Sequence, residues 1–281
     1  MRLAFSTLGV PGLPVDDVLR LAGDSGFHGV ELRAHPEEPV HPGITGDERA
    51  SVRRRFAAAG VEVLAVAGYA KVAAALPEAA PRDAGPGATG PASEEELAAD
   101  LTELVVLAAD LGAPYVRVFP GGGDRPAAEA DADAARRLGA LAPFAAEHGV
   151  TVLLETHDSH RTGYDAARVL GPVGHPNAGV LWDVMHTWLG GEDPATSCAT
   201  LLPHLGYVQV KDIASEKDTT PLPLGAGVLP LAECVEELTR AEWDGWLCWE
   251  YEKRWYPHAA ELPELLPAGR EHVMRLLTES S

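Results

Sequence analysis

Four polar side chains sit at corresponding places at the ends of four successive apolar runs. "VTVLLE" stops on Glu155, "AGVLWD" stops on Asp183, "GYVQVKD" carries Gln209, and "GWLCWEYE" carries Glu250. Each run suits a buried strand, and a buried carboxylate is costly unless it is paired or holds a metal. Period-two alternation puts Glu155 on the side of Leu153, Gln209 with Tyr207, and Glu250 with Cys248 and Trp246. If those sides share an axis, three carboxylates and one amide converge. Three such acids raise one another's pKa by repulsion, and a divalent cation removes the conflict. An all-oxygen donor set favours Mg²⁺ or Mn²⁺ over zinc. The expected metal ligands are Glu155, Asp183, Gln209 and Glu250.

The elements that must position these residues follow a strand–helix rhythm. Strands are expected at 2–7, 29–34, 61–68, 114–120, 150–155, 178–183, 206–212 and 245–252. Helices are expected at 15–26, 47–60, 93–112, 126–148, 161–170, 194–203, 229–241 and 268–279. Glycines 26, 60, 112, 149 and 206 read as helix ends, and "SEEE" at 93–96 as a capping-box start. Alternating strands and helices imply a parallel sheet. Eight units in 281 residues fit an α/β fold of the (β/α)8 TIM-barrel type, a single domain over 1–281. The open doubly wound alternative lacks its GxGxxG loop after the first strand. The Pro/Ala/Gly segment 77–92 reads as a loop between strand 3 and helix 3, on the face where barrel enzymes place their chemistry. That face also takes Glu31, Arg117, Lys211, His157 and His186. His157 and His186 could bind substrate or act as acid and base. His28, His148, His175 and His204 precede strands, on the opposite, stability face.

Composition excludes other classes. The net charge of −20 argues against nucleic acid and anionic membranes as partners. No apolar run approaches the about 20 residues needed to span a bilayer. Cys198, Cys234 and Cys248 are odd in number and far apart, which suits reduced thiols and a cytoplasmic setting better than a disulfide framework.

Across nearly its whole length the sequence resembles the sugar phosphate isomerase/epimerase family with the xylose isomerase-like barrel. "GVELRA" at 29–34, "LLETH" at 153–157, "GVLWDVMH" at 179–186, "YVQVKD" at 207–212, "LGAGVLPL" at 224–231 and "GWLCWEYE" at 245–252 carry the resemblance. It implies a divalent metal on Glu155, Asp183, the strand-7 residue and Glu250. Many members have His where Gln209 stands. By resemblance, Glu155 and Glu250 are the acid/base pair that takes a proton from a carbon beside a carbonyl and returns it, through a metal-stabilised enediolate. His186 then binds a substrate oxygen, while Lys211, Arg117 and His157 contact hydroxyl, carboxylate or phosphate groups. The substrate expected is a small sugar, polyol or keto-sugar. Related barrels dehydrate inososes or 3-dehydroshikimate, so a metal-dependent dehydratase is the alternative, and a non-catalytic sugar-binding barrel the second alternative. Members are often dimers or tetramers, so a homo-oligomer is compatible.

Overall fold

The computed structural model describes residues 1–76 and 93–280; the loop expected at 77–92 lies outside them. Strands β1 (Arg2–Ser6), β2 (Gly29–Arg33), β3 (Glu62–Lys71), β4 (Tyr115–Phe119), β5 (Thr151–Glu155), β6 (Ala178–Asp183) and β7 (Leu205–Val210) follow one another round the barrel. A short antiparallel hairpin, β8 (Ile213–Ser215) and β9 (Asp218–Pro221), stands apart from them. The last barrel strand, β10 (Trp246–Trp249), pairs in parallel with both β7 and β1 and closes the cylinder. Helices α1 (Val15–Ser25), α2 (Gly46–Ala59), α3 (Glu94–Leu111), α4 (Ala127–Glu147), α5 (Gly163–Val173), α6 (Val184–Leu189), α7 (Pro194–Leu201), α8 (Leu231–Arg240) and α9 (Leu262–Glu279) occupy the connections and the C-terminus. The architecture is a closed eight-stranded parallel (β/α)8 barrel.

Apolar side chains form two separate cores. The larger lies between sheet and helices. The smaller fills the cylinder with Ala4, Ala65, Leu153, Leu181, Tyr207, Trp246 and Cys248. Register aligns Leu153 with Gly179, Leu181 with Tyr207, and Cys248 with both Gln209 and Ala4. Moving two residues along any of these strands therefore gives the next inward-facing layer, where Glu155, Asp183, Gln209 and Glu250 stand.

Several boundaries differ from the sequence reading. Gly206 does not end a helix. It is the second residue of β7, and a Cβ there would meet Leu153 Cδ1 at 2.4 Å, so glycine lets the interior leucine pack. Helix α6, unexpected in "DVMHTWLG", forms because the Asp183 carboxylate accepts the Met185 and His186 N–H groups as its N-cap. Helix α9 starts at Leu262 rather than 268, with a proline in its first turn. Within it Gly269 packs where a Cβ would strike the Trp249 ring at 2.1 Å. Glu31 is central in β2 rather than at its end, so it sits deeper in the cylinder.

Past β7 the buried Asp212 carboxylate accepts N–H groups from Ile213, Gly225, Gly227 and Leu229. This one acid shapes the 224–231 loop, a stretch of otherwise unpaired backbone donors. On the other side of the barrel Arg137 donates to the Val72 and Ala74 carbonyls and pairs with Glu94, the first residue of α3. The Arg137 hydrogen bond, against a smaller cost of burial, holds the Glu94 carboxyl below its ordinary 4.5. A folded pKa below the unfolded one means stability that is present above pH 4.5 and is lost as pH falls through the folded value. Urea midpoints measured at successive pH values below 4.5 should therefore fall less steeply in Glu94→Gln than in wild type. Identical slopes would contradict this reading.

Candidate active site and metal centre

The C-terminal ends of β4 to β7 and β10 deliver the site. Arg117 Nη1 lies 3.2 Å from Glu155 Oε2. Lys211 Nζ lies 2.7 Å from Asp183 Oδ2 and 3.0 Å from Glu252 Oε1, and also pairs with Glu250 Oε2. The Gln209 amide donates to Glu31 Oε2 at 2.9 Å and to Glu250 Oε1 at 3.2 Å. Thr156 Oγ1 accepts the Asp183 N–H at 2.9 Å and so ties β5 to β6 beneath the acids. Glu31, Arg117, Glu155, Asp183, Gln209, Lys211 and Glu250 are all buried.

Burial dominates the electrostatics. It pushes Glu155 up to about 8, against the opposing pull of Arg117 and His157. It also raises Glu31, helped by the Glu250 charge. Lys211 is raised as well, against its burial: the Asp183, Glu250 and Glu252 charges lift it well above the usual lysine range. The two site histidines touch in a tilted pair with ring centroids 4.1 Å apart, and their pKa values shift in opposite directions. Burial and the neighbouring His157 drive His186 well down, which favours its neutral form. At His157 burial also opposes the charge, but the Asp158 hydrogen bond and the Glu155 charge outweigh it and raise the pKa. Asp158 earns its place at a strained φ of +34°, where its carboxylate also receives the Gly121 and Ser159 N–H groups.

The donor set suits a cation. Glu155 Oε2, Asp183 Oδ2 and Gln209 Oε1 come from three adjacent strands; the first two face Arg117 and Lys211, while Gln209 Oε1 accepts no hydrogen bond. Gln209 Oε1 is the clearest case, because the two carboxylates on its nitrogen fix which way the amide faces. In addition, Glu155, expected as a metal ligand, brings a ligand atom within 4.8 Å of His157 and His186, which are expected at substrate, and the three form a second metal-capable group. Asp183 and Glu250 are instead bridged by Lys211, which the sequence reading had placed against substrate. Arg117, likewise expected at substrate, spends its charge on Glu155 and lies over the Phe119 ring at 4.0 Å.

Glu252, two positions after Glu250, escaped the sequence reading; it is the third acid on Lys211, and its "EYE" spacing was the available signal. Glu31 is expected on this face, but its contact with Gln209 has no signal in the sequence, because only the closed cylinder brings β2 near β7. At the rim, Arg33 pairs with Glu38 at 2.6 Å, Arg254 with Glu37 at 2.8 Å and Lys253 with Glu261 at 2.6 Å.

A family profile described as a xylose isomerase-like TIM barrel matches residues 19–276. A curated 3-dehydroshikimate dehydratase of Bacillus anthracis is 35% identical over 81 residues, 28% of this chain; the match spans 29% of that relative's length. Among solved structures, D-psicose 3-epimerase from Clostridium cellulolyticum H10, with D-tagatose, superposes with a TM-score of 0.80 at 15% identity, covering 99% of each chain. The IOLI protein with a bound zinc atom superposes with a TM-score of 0.77 at 16% identity, covering 100% of this chain and 99% of its own. These two structural likenesses establish the shared barrel.

Removing the buried ammonium would leave Asp183, Glu250 and Glu252 facing one another. Lys211→Met should cost about 3–5 kcal/mol in EDTA, the usual penalty for breaking a buried charge pair. Added Mn²⁺ should raise its urea midpoint more than it raises that of wild type. An unchanged midpoint in EDTA would contradict the pairing.

Proposed function

The chain belongs to the xylose isomerase-like TIM barrel family, and on that premise we propose that it is a divalent-metal-dependent isomerase or epimerase of a small sugar, polyol or keto-sugar. The observation that carries the proposal is the gathering of buried Glu155, Asp183, Gln209 and Glu250 at neighbouring strand ends, with Gln209 Oε1 free of any hydrogen-bond donor and Glu250 linked to Gln209 at 3.2 Å. These four residues would hold the cation. Lys211 would give up Asp183 and Glu250 while keeping Glu252, which it already touches at 3.0 Å. A cation bound there would supply Lewis-acid stabilisation to the oxygens of the substrate.

Glu155 and Glu250 come from β5 and from the residue after β10, with β6 and β7 between them in barrel order. They can therefore flank a substrate carbon lying across the mouth. One carboxylate takes the proton from the carbon beside the carbonyl. The electron pair left behind forms the enediolate double bond and places charge on oxygen. The other carboxyl, protonated at the outset, returns a proton to the opposite side. Burial raises the Glu155 carboxyl when no cation is bound, and a bound cation would bring it back toward the ionised form that a base needs. Neutral His186 is placed to donate to or accept from a substrate hydroxyl. The carboxylate partners of Arg33, Arg254 and Lys253 favour an uncharged substrate over a phosphorylated one.

A dehydratase is the second reading, favoured by the stretch of 35% identity to the 3-dehydroshikimate dehydratase. It needs the same α-proton abstraction, followed by loss of a β-hydroxyl. A screen of ketoses, inososes and 3-dehydroshikimate in D₂O with Mn²⁺, followed by NMR, separates the two. Deuterium at the α-carbon with the skeleton intact supports epimerisation or isomerisation, and an unsaturated product supports dehydration. Glu155→Gln and Glu250→Gln should each slow the exchange by about 10²–10⁴-fold while leaving the circular dichroism unchanged. EDTA should stop it, and Mn²⁺ or Mg²⁺ should restore it. Full exchange in either variant, or indifference to chelation, would refute the proposal.

A further inference from the structure

Glu31 has no assigned part in the chemistry, yet it is fully buried beneath the site and touches one of the proposed ligands. Its Oε2 receives both the Tyr207 hydroxyl and the Gln209 amide. From this geometry we infer that Glu31 is a positioning residue that forces Gln209 to present oxygen rather than nitrogen to the cation. The inference rests on the metal-dependent reading above.

Glutamine as a metal ligand poses a problem that a carboxylate does not. A carboxylate offers oxygen whichever way it turns, whereas a carboxamide has one end that can bind a cation and one that repels it. A glutamine ligand therefore needs something to fix its orientation. Here two carboxylates do so together: Glu31 Oε2 at 2.9 Å and Glu250 Oε1 at 3.2 Å both take the same Nε2. Rotating the amide would set its oxygen against two carboxylate oxygens and turn its N–H groups to a place where Oε1 now finds no donor. Glu250 is itself a proposed ligand, so only Glu31 can hold the amide without also being drawn to the cation. Tyr207 in turn steadies Glu31 from the same strand that carries Gln209. Outer partners of this kind commonly change metal affinity by about 10–100-fold when removed.

The test is a cycle of Mn²⁺ titrations followed by electron paramagnetic resonance. Glu31→Leu should weaken Mn²⁺ binding by about 10–100-fold. In a Gln209→Glu background the same Glu31→Leu change should not weaken binding, because a carboxylate has no wrong way round. Equal affinity in wild type and Glu31→Leu would overturn the inference, and so would an equal loss in both backgrounds, which marks a general structural role. Failure of wild type to bind Mn²⁺ would remove the metal-dependent reading and this inference with it, a result distinct from binding that ignores residue 31. Should Glu31→Leu not fold, wild type alone decides by NMR. Mg²⁺ should shift the Gln209 side-chain carbonyl carbon while its amide protons stay protected from exchange. Freely exchanging amide protons would overturn the assignment.

Discussion

An excess of buried negative charge governs this molecule. Glu31, Glu155, Asp183, Glu250 and Glu252 gather at one end of the cylinder, and among the described residues Arg117 and Lys211 are the cations paired with them. That leaves three more carboxylates than cations. A low-dielectric interior does not tolerate such an excess, so protons or a cation must make up the difference. Without a metal the surplus shows in the titration: burial raises the pKa values of Glu155, Glu31 and Glu252, and the acids around Lys211 raise its own. The same surplus makes the site receptive to a divalent ion. On this account, structural tension and the capacity for catalysis have one source.

Strand ends are what allow the surplus to exist at all. Two residues below the acids the interior is largely apolar, filled by Leu153, Leu181, Tyr207 and Cys248. Asp183 shows how economically the layer is made. Oδ1 starts α6 and so sets where His186 lies, while Oδ2 faces Lys211. Moving that one aspartate would disturb a helix, a histidine and the charge balance together.

Much of this could be read in the sequence because parallel strands repeat with period two. Glu155, Asp183, Gln209 and Glu250 lie in equivalent places on their runs, and the fold class follows from the rhythm of those runs. What could not be read depends on contacts across the cylinder. No spacing links Glu31 to Gln209, 178 positions away. No local pattern shows that Lys211 spends its charge on three acids rather than on a substrate, or that Arg117 answers Glu155. Helix α6 was hidden for a different reason. Its N-cap is a residue already claimed by the site, and a six-residue helix has almost no periodicity to display.

The most direct test is a crystal structure of the protein soaked in Mn²⁺, with the ion located by its anomalous scattering. The account predicts one peak per chain, bounded by Glu155, Asp183, Gln209 and Glu250, with Lys211 withdrawn toward Glu252. A peak held by Glu155, His157 and His186 with Lys211 still between Asp183 and Glu250, or no peak in the barrel, would contradict it.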